Sequence, residues 1–434
     1  MDIRIDQQAE FLTLNATLEP SDVTEAGKAV MARTTATFEL PKGYHYSAIH
    51  PDLLGLASIT TFSPWIKQTL RLPFPVSYHF ADAIAQTLKI ELTNVSPVVE
   101  RRVPSHDARP GLAFSAGVDS FACLEIMPTN TQPVFMHRAR PREEAPGLYR
   151  ADAALRAVRE MRDRGVPAIA MRSDLEWVRK PVGFGIDMTP GTTVILLADY
   201  FNLDAISYGT VSESAYMTGK TSFFDYTERP IFKNWQRIFG AAGLDSYNCV
   251  TPMSEICTSY LARRSEFSHL AQSCVRGKSS DPCRNCVKCF RKSLIESHFS
   301  GSWPDSAEIQ RMARGRSIRA FLDRDPIHHE IVLAASIANY DGDDPVLNAI
   351  QRRTFAREID WSFTQAWYRP GMDTVAPAKY REGTVSRLEK SIPAMTAEQE
   401  SAFRNYNVEA KFGSAEDKKQ LLRRYQADLN AALA

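Results

Sequence analysis

The apolar and polar positions of this chain change period along its length, and the changes divide it into three regions. In the first, Phe11-Leu12-Thr13-Leu14-Asn15-Ala16-Thr17-Leu18 and Thr35-Ala36-Thr37-Phe38-Glu39-Leu40 alternate with a period of two, the pattern of half-buried strands. In the second, short apolar runs at Ala113-Phe114, Pro133 to Met136, Val166 to Met171 and Ala205 to Tyr208 read as buried strands. Between them, Ala151 to Arg164 carries Leu155, Val158 and Met161 on one helical stripe that Gly165 stops, and Thr192 to Tyr200 reads as an apolar helix. Strands alternating with helices predict an α/β fold with a parallel sheet and ligands at the carboxyl ends of its strands. From Trp303 onward the pattern is mainly helical: Ser414 starts a helix whose stripe is Leu421, Leu422, Tyr425, Leu429 and Leu433. Ser105 to Pro110 has linker composition. The expected division is an α+β accessory domain at 1–105, a central α/β domain at 106–300 and a helical region at 301–434.

The segment from Ala113 through Ser115-Ala116-Gly117-Val118-Asp119-Ser120 runs from a strand through small residues into a helix start. Such a turn turns several backbone N–H groups toward an anion, so the loop is a candidate phosphate site. Ser115 and Ser120 add hydroxyl donors, Gly117 permits close backbone approach, and Asp119 is placed to position a magnesium ion or to cap the helix. An ordinary strand-turn-helix with Asp119 as its cap reads the same residues.

A second cluster lies downstream. Of seven cysteines, Cys274, Cys283, Cys286 and Cys289 fall within sixteen positions. Two-residue gaps let successive thiolates converge on one ion, and four of them close a tetrahedral zinc site. An iron–sulfur cluster uses the same spacing.

The first motif resembles the Ser-Gly-Gly-x-Asp-Ser loop of the PP-loop ATP pyrophosphatases, with Ala116 where the family has its first glycine. The two motifs in this order are similar to 7-cyano-7-deazaguanine synthase, over roughly residues 109 to 296. The resemblance makes 106–300 a PP-loop ATP-binding domain with a zinc motif. It implies that the backbone from Ser115 to Ser120 holds the pyrophosphate of ATP, with Asp119 and Ser120 catalytic, Phe135 and Met136 against the base, and Gly209-Thr210-Val211-Ser212-Glu213 lining the ATP and substrate pocket. The implied cofactors are ATP, Mg2+ and Zn2+. The implied reaction adenylates an acceptor carboxylate or amide oxygen with release of pyrophosphate, and ammonia or another amine then displaces AMP. The extra regions leave room for a modified protein or nucleic-acid target. One departure concerns the family's catalytic lysine: Pro252-Met253-Ser254-Glu255-Ile256-Cys257 has none. Lys220, Arg229 and Lys233 are then the candidates to neutralise the leaving pyrophosphate.

Composition narrows the partners. Fifty-two basic and fifty-one acidic residues give a net charge of +1, no global field for a polyanion, so a nucleic acid would need a local patch such as Arg311, Arg314, Arg316 and Arg319. Met1-Asp2-Ile3-Arg4-Ile5-Asp6 lacks the apolar core of a signal peptide, and no apolar run approaches a membrane span. Together with clustered thiols, this points to the cytoplasm; the last helical stripe packs internally or builds a homodimer. Three other functions stay open: sulfur transfer through Cys123, Cys249 or Cys257; a non-catalytic nucleotide-binding module; and a serine hydrolase using Ser115 as an elbow nucleophile with a histidine such as His269, His298, His328 or His329.

Overall fold

A computed structural model describes residues 1–141, 143–144, 149–217 and 222–434. The chain is α/β, built on an eight-stranded, mostly parallel sheet. Its strands are β1 (Asp2–Gln8), β2 (Phe11–Thr17), β3 (Thr35–Glu39), β4 (Arg109–Phe114), β5 (Gln132–Arg138), β6 (Ile169–Ser173), β7 (Leu203–Ser207) and β8 (Asp245–Ser246), in the order β1-β2-β3-β6-β5-β4-β7-β8. The five strands from β6 to β8 run parallel, and β1, β2 and β3 continue the sheet antiparallel past β6. After β4 the chain builds outward through β5 and β6, then returns to lay β7 on the other side of β4. The crevice between these two directions of growth opens at the carboxyl end of β4, where a parallel sheet binds ligands.

Helices cover both faces. They are α1 (Pro51–Phe62), α2 (Tyr78–Leu88), α3 (Val118–Ile126), α4 (Asp152–Asp163), α5 (Thr192–Leu196), α6 (Ser212–Ala215), α7 (Pro230–Ala241), α8 (Glu255–Arg264) and α9 (Val287–Ser300). The C-terminal region adds α10 (Ser306–Ala313), α11 (Arg316–Leu322), α12 (Glu330–Ile337), α13 (Pro345–Thr354), α14 (Arg369–Val375), α15 (Ala378–Glu389), α16 (Ala397–Asn405) and α17 (Ala415–Leu433). Because successive strand residues face opposite ways, the sheet separates two cores. Phe114 and Phe135 join α3, α8 and the C-terminal helices on one side; Val134, Met136 and Ile206 join α1, α5, α7 and the N-terminal strands on the other. The α17 stripe packs internally through Tyr425 and Leu429, with Arg353 over the Tyr425 ring.

Several elements differ from the periodicity. The third strand of the α/β repeat begins at Ile169 rather than Val166, because Pro167 carries no N–H for the ladder. The helix expected over Thr192 to Tyr200 ends at Leu196: it opens after Pro190-Gly191 with four β-branched residues in succession, and it gives way to turns that Asn202 closes with positive φ. Among the described residues, no helix is long and apolar enough to cross a membrane.

Candidate functional site

The loop between β4 and α3 sits in the crevice. Gly117 is the N-cap, and the first N–H groups of α3 have no helix carbonyl behind them. Ser120, buried, turns its hydroxyl back to the Gly117 carbonyl (2.9 Å) and accepts from the Ser115 N–H (3.3 Å), while Ser115 Oγ lies 3.2 Å from Ser120 Oγ. These contacts curl the loop into a cradle with Ser115 exposed at its rim. Ala116 adopts φ +57°, the left-handed region that favours glycine. The resemblance places a glycine there, and alanine supplies the same conformation at a cost of about 1 kcal/mol.

Asp119 projects from the first turn of α3. Its Oδ1 accepts from the Thr258 hydroxyl of α8 at 2.7 Å. Gly209, just past β7, lies beneath it, and a Cβ at that position would stand 3.1 Å from Asp119 Cβ. The absence of a side chain at Gly209 lets β7 approach the loop closely.

One cleft of about 850 Å³, counting its open mouth, gathers Ser115, Gly117, Asp119, Phe135 and Met136 together with Cys274. Val118 faces a neighbouring cavity shared with Cys289. The cleft also contains residues that motif reading missed: Arg138, Arg150 and Lys288, against Asp119 as its one acid among the described residues. Arg138 is held by Glu176 at 3.2 Å and lies over the Tyr149 and Phe184 rings. Lys288 was visible in the sequence only as the residue before the last cysteine of the cluster. The expected basic residues are occupied elsewhere: Arg229 donates to the Ala215 carbonyl and Lys233 pairs with Glu228. Lys220 lies outside the described residues.

The cysteine segment forms a wall of this cleft. Gln272 donates its N–H to the Ala116 carbonyl (2.9 Å), and the Val118 N–H reaches Ser273 Oγ (3.4 Å). Cys274, Cys283, Cys286 and Cys289 bring four Sγ atoms within 4.8 Å of one another, with Cys286 to Cys289 at 3.5 Å and Cys283 to Cys289 at 3.8 Å. Four sulfurs at about 2.3 Å from a tetrahedral ion stand about 3.8 Å apart, so the cluster could hold a metal ion with little movement. The Cys283 N–H points at Cys274 Sγ (3.3 Å), which favours the thiolate. Gly277 packs on the Asp281 and Pro282 backbone inside this knot.

Behind the loop lies a buried ionic group. Glu255, 3% exposed at the start of α8, accepts from Arg291 (2.5 Å) and Lys292 (2.9 Å), the two basic residues after the cysteine run. Burial pushes its carboxyl up, but Lys292 and Arg291 outweigh burial and hold it well below the ordinary range. The Glu255 N–H donates to Glu213 Oε2 at 3.1 Å. Among the described residues Glu213 has no cation at bonding distance, and burial pushes its carboxyl up to about 8.

The remaining candidate nucleophiles are poorly placed. Burial raises the thiols of Cys123 and of Cys257, the latter to about 12, so neither is a thiolate at neutral pH. Among the described residues no histidine bonds Ser115: His269 contacts Glu160 at 2.9 Å, and Ser115 contacts only its own loop.

Residues 234–407 match a family of unknown function, DUF6395. The matched stretch holds the four cysteines and Glu255 but begins after the Ser115–Ser120 loop. Neither curated proteins nor solved structures give a match.

Proposed function

We propose that the crevice is a PP-loop ATP site and that the chain adenylates an acceptor carboxylate or amide oxygen, releases AMP and pyrophosphate, and passes the activated acyl or imidoyl group to a nitrogen nucleophile. The observation that carries this reading is the convergence, in one cleft, of a helix N-terminus behind a small-residue loop with three basic side chains and a lone aspartate. An anion with several charges and one divalent cation suits that set. In this reading the loop N–H groups and Ser115 bind the pyrophosphate, and Lys288 and Arg150 neutralise the charge that develops as it leaves. Asp119, with Oδ1 already fixed by Thr258, would hold Mg2+ through its other oxygen. Phe135 and Met136 offer the wall on which the base rests.

The cysteine cluster is read as a structural zinc site. Four protein sulfurs leave no open position for a substrate or water, so the ion's contribution is to fix Gln272, Ser273 and Lys288 against the loop. Burial keeps the Cys123 and Cys257 thiols protonated, which weighs against sulfur transfer through them, and among the described residues no histidine bonds Ser115, which weighs against the hydrolase reading.

The test is product analysis with α-labelled ATP, magnesium, ammonium and a panel of carboxylates. The proposal predicts acceptor-dependent AMP and pyrophosphate. Formation of ADP and phosphate, or no turnover with nucleotide bound, would overturn it in favour of another phosphoryl chemistry or a binding module.

A further inference from the structure

The four cysteines are unevenly shared between the elements that they join. Cys274 belongs to the segment that walls the loop cleft, whereas Cys286 is the N-cap of α9 and Cys289 lies in its first turn. Positions three apart fall on one side of a helix. The Sγ atoms of Cys286 and Cys289 are accordingly 3.5 Å apart, closer than those of Cys283 and Cys289 at 3.8 Å. A disulfide needs about 2.05 Å, so an approach of about 1.5 Å between two side chains of one turn closes it. Cys289 is half-buried and lines the open cavity beside the loop cleft, so a small oxidant reaches it from solvent.

What happens at this pair is transmitted to the loop through Gln272. Its backbone N–H donates to the Ala116 carbonyl, while its side chain donates to the Cys274 and Lys278 carbonyls (3.1 and 3.0 Å) and accepts from the Ser280 N–H (3.0 Å). The Arg150 N–H donates to the Val275 carbonyl at 2.8 Å. An ion held by all four sulfurs staples this segment to α9. A disulfide between Cys286 and Cys289 lies at the start of α9 alone and leaves Cys274 with no link to the helix through metal or sulfur.

We propose that Cys286 and Cys289 are a redox modification site: a hydroperoxide converts them to a disulfide, the ion leaves, and the Cys274 segment loosens its hold on the Ser115–Ser120 loop. The Cys289 thiolate attacks the peroxide, the O–O bond breaks, a hydroxyl passes to sulfur as the sulfenic acid, and the departing oxyanion takes a proton from water. The Cys286 thiolate then attacks the Cys289 sulfur, the S–S bond forms, and hydroxide leaves and is protonated. The two sulfurs lose two electrons and the peroxide gains them. The ion, left with two protein ligands, departs as the dication. Ion release rests on the metal reading of the cluster, and no part of the proposal needs nucleotide to bind.

Treatment of the reduced full chain with hydrogen peroxide tests it. Zinc release is followed with a chromogenic chelator, disulfides are mapped by alkylation and peptide mass spectrometry, and amide hydrogen exchange reads the loop. The expected result is a Cys286–Cys289 disulfide, one zinc released with each, and exchange across 115–120 at least about tenfold faster, all reversed by a dithiol reductant with added zinc. Cys283→His keeps the pair and a three-cysteine, one-histidine site, and should lose zinc at the wild-type rate; Cys286→His should lose it at least about tenfold more slowly. Zinc content before oxidation checks the metal reading separately, because the disulfide map reads the pair with or without an ion. A first disulfide that includes Cys274 or Cys283, equal rates of zinc loss in the two variants, or unchanged loop exchange in the oxidised chain would overturn the proposal.

Discussion

Replacing Glu213 by glutamine should stabilise this protein, and the gain should grow with pH. The Glu213 carboxyl is buried, its Oε1 has no partner among the described residues, and burial pushes it up to about 8 from about 4.5 in an unfolded chain. Between those values the folded state holds a proton that the unfolded state has released, so wild-type stability falls as pH rises, by about 1.4 kcal/mol per unit for this group. The full penalty approaches about 5 kcal/mol above pH 8, an upper bound that water entry and local relaxation would reduce to roughly 2–4. Glutamine keeps an acceptor for the Glu255 N–H, cannot ionise, and preserves the shape of the side chain. Urea unfolding of both proteins at pH 5, 6, 7 and 8 isolates this one titration, because every other group cancels in the difference. The variant should match wild type near pH 5 and exceed it progressively toward pH 8. A difference that stays constant across this range, or a variant less stable at pH 8, would refute the reasoning.

Further outcomes follow from the same contacts. Glu255→Ala leaves Arg291 and Lys292 buried without their acid and should cost about 3–5 kcal/mol in urea unfolding, whereas Glu255→Gln should cost less. Because Lys292 and Arg291 depress the Glu255 carboxyl in the folded state, its stabilisation is full above the unfolded carboxylate range and is lost as pH falls below that range toward the lower folded value; the acid unfolding limb of Glu255→Gln should be correspondingly flatter. Metal analysis should find one zinc per chain, and stripping it with a chelator should lower the melting temperature and weaken nucleotide binding, since Gln272 and Ser273 hold the loop directly. Ala116→Val puts a β-branched residue at φ +57° in a buried position and should destabilise by more than about 2 kcal/mol, while Ala116→Gly should be nearly neutral, conformational relief offsetting lost burial.

The part of this site carried by local chemistry could be read from the chain. A small-residue turn after an apolar strand defined the Ser115–Ser120 cradle, and cysteine spacing defined the four-sulfur cluster. The unbroken apolar run at Val134, Phe135 and Met136 is that of a strand buried on both faces. What the chain did not reveal depends on distant pairings. Nothing local says that β3 joins β6, because Phe38 and Ser173 meet across 135 residues. Lys288 looked like a filler between cysteines until the fold carried it to the loop cleft. Glu213 and Glu255 come from two separated helices, so the contact that joins them has no linear signature. The basic candidates failed for a related reason: Arg229 and Lys233 have local partners that sequence spacing does not disclose.

The most direct test of the central claim is calorimetric titration of the full chain with α,β-methylene ATP and magnesium, beside Asp119→Ala with its fold checked by thermal melting. The account predicts saturable binding by the native protein and an affinity at least about tenfold lower for the folded variant, the loss expected for one cation-positioning carboxylate. Absence of binding by the native protein, or equal affinity in the two, would contradict the assignment of the Ser115–Ser120 loop as the nucleotide site.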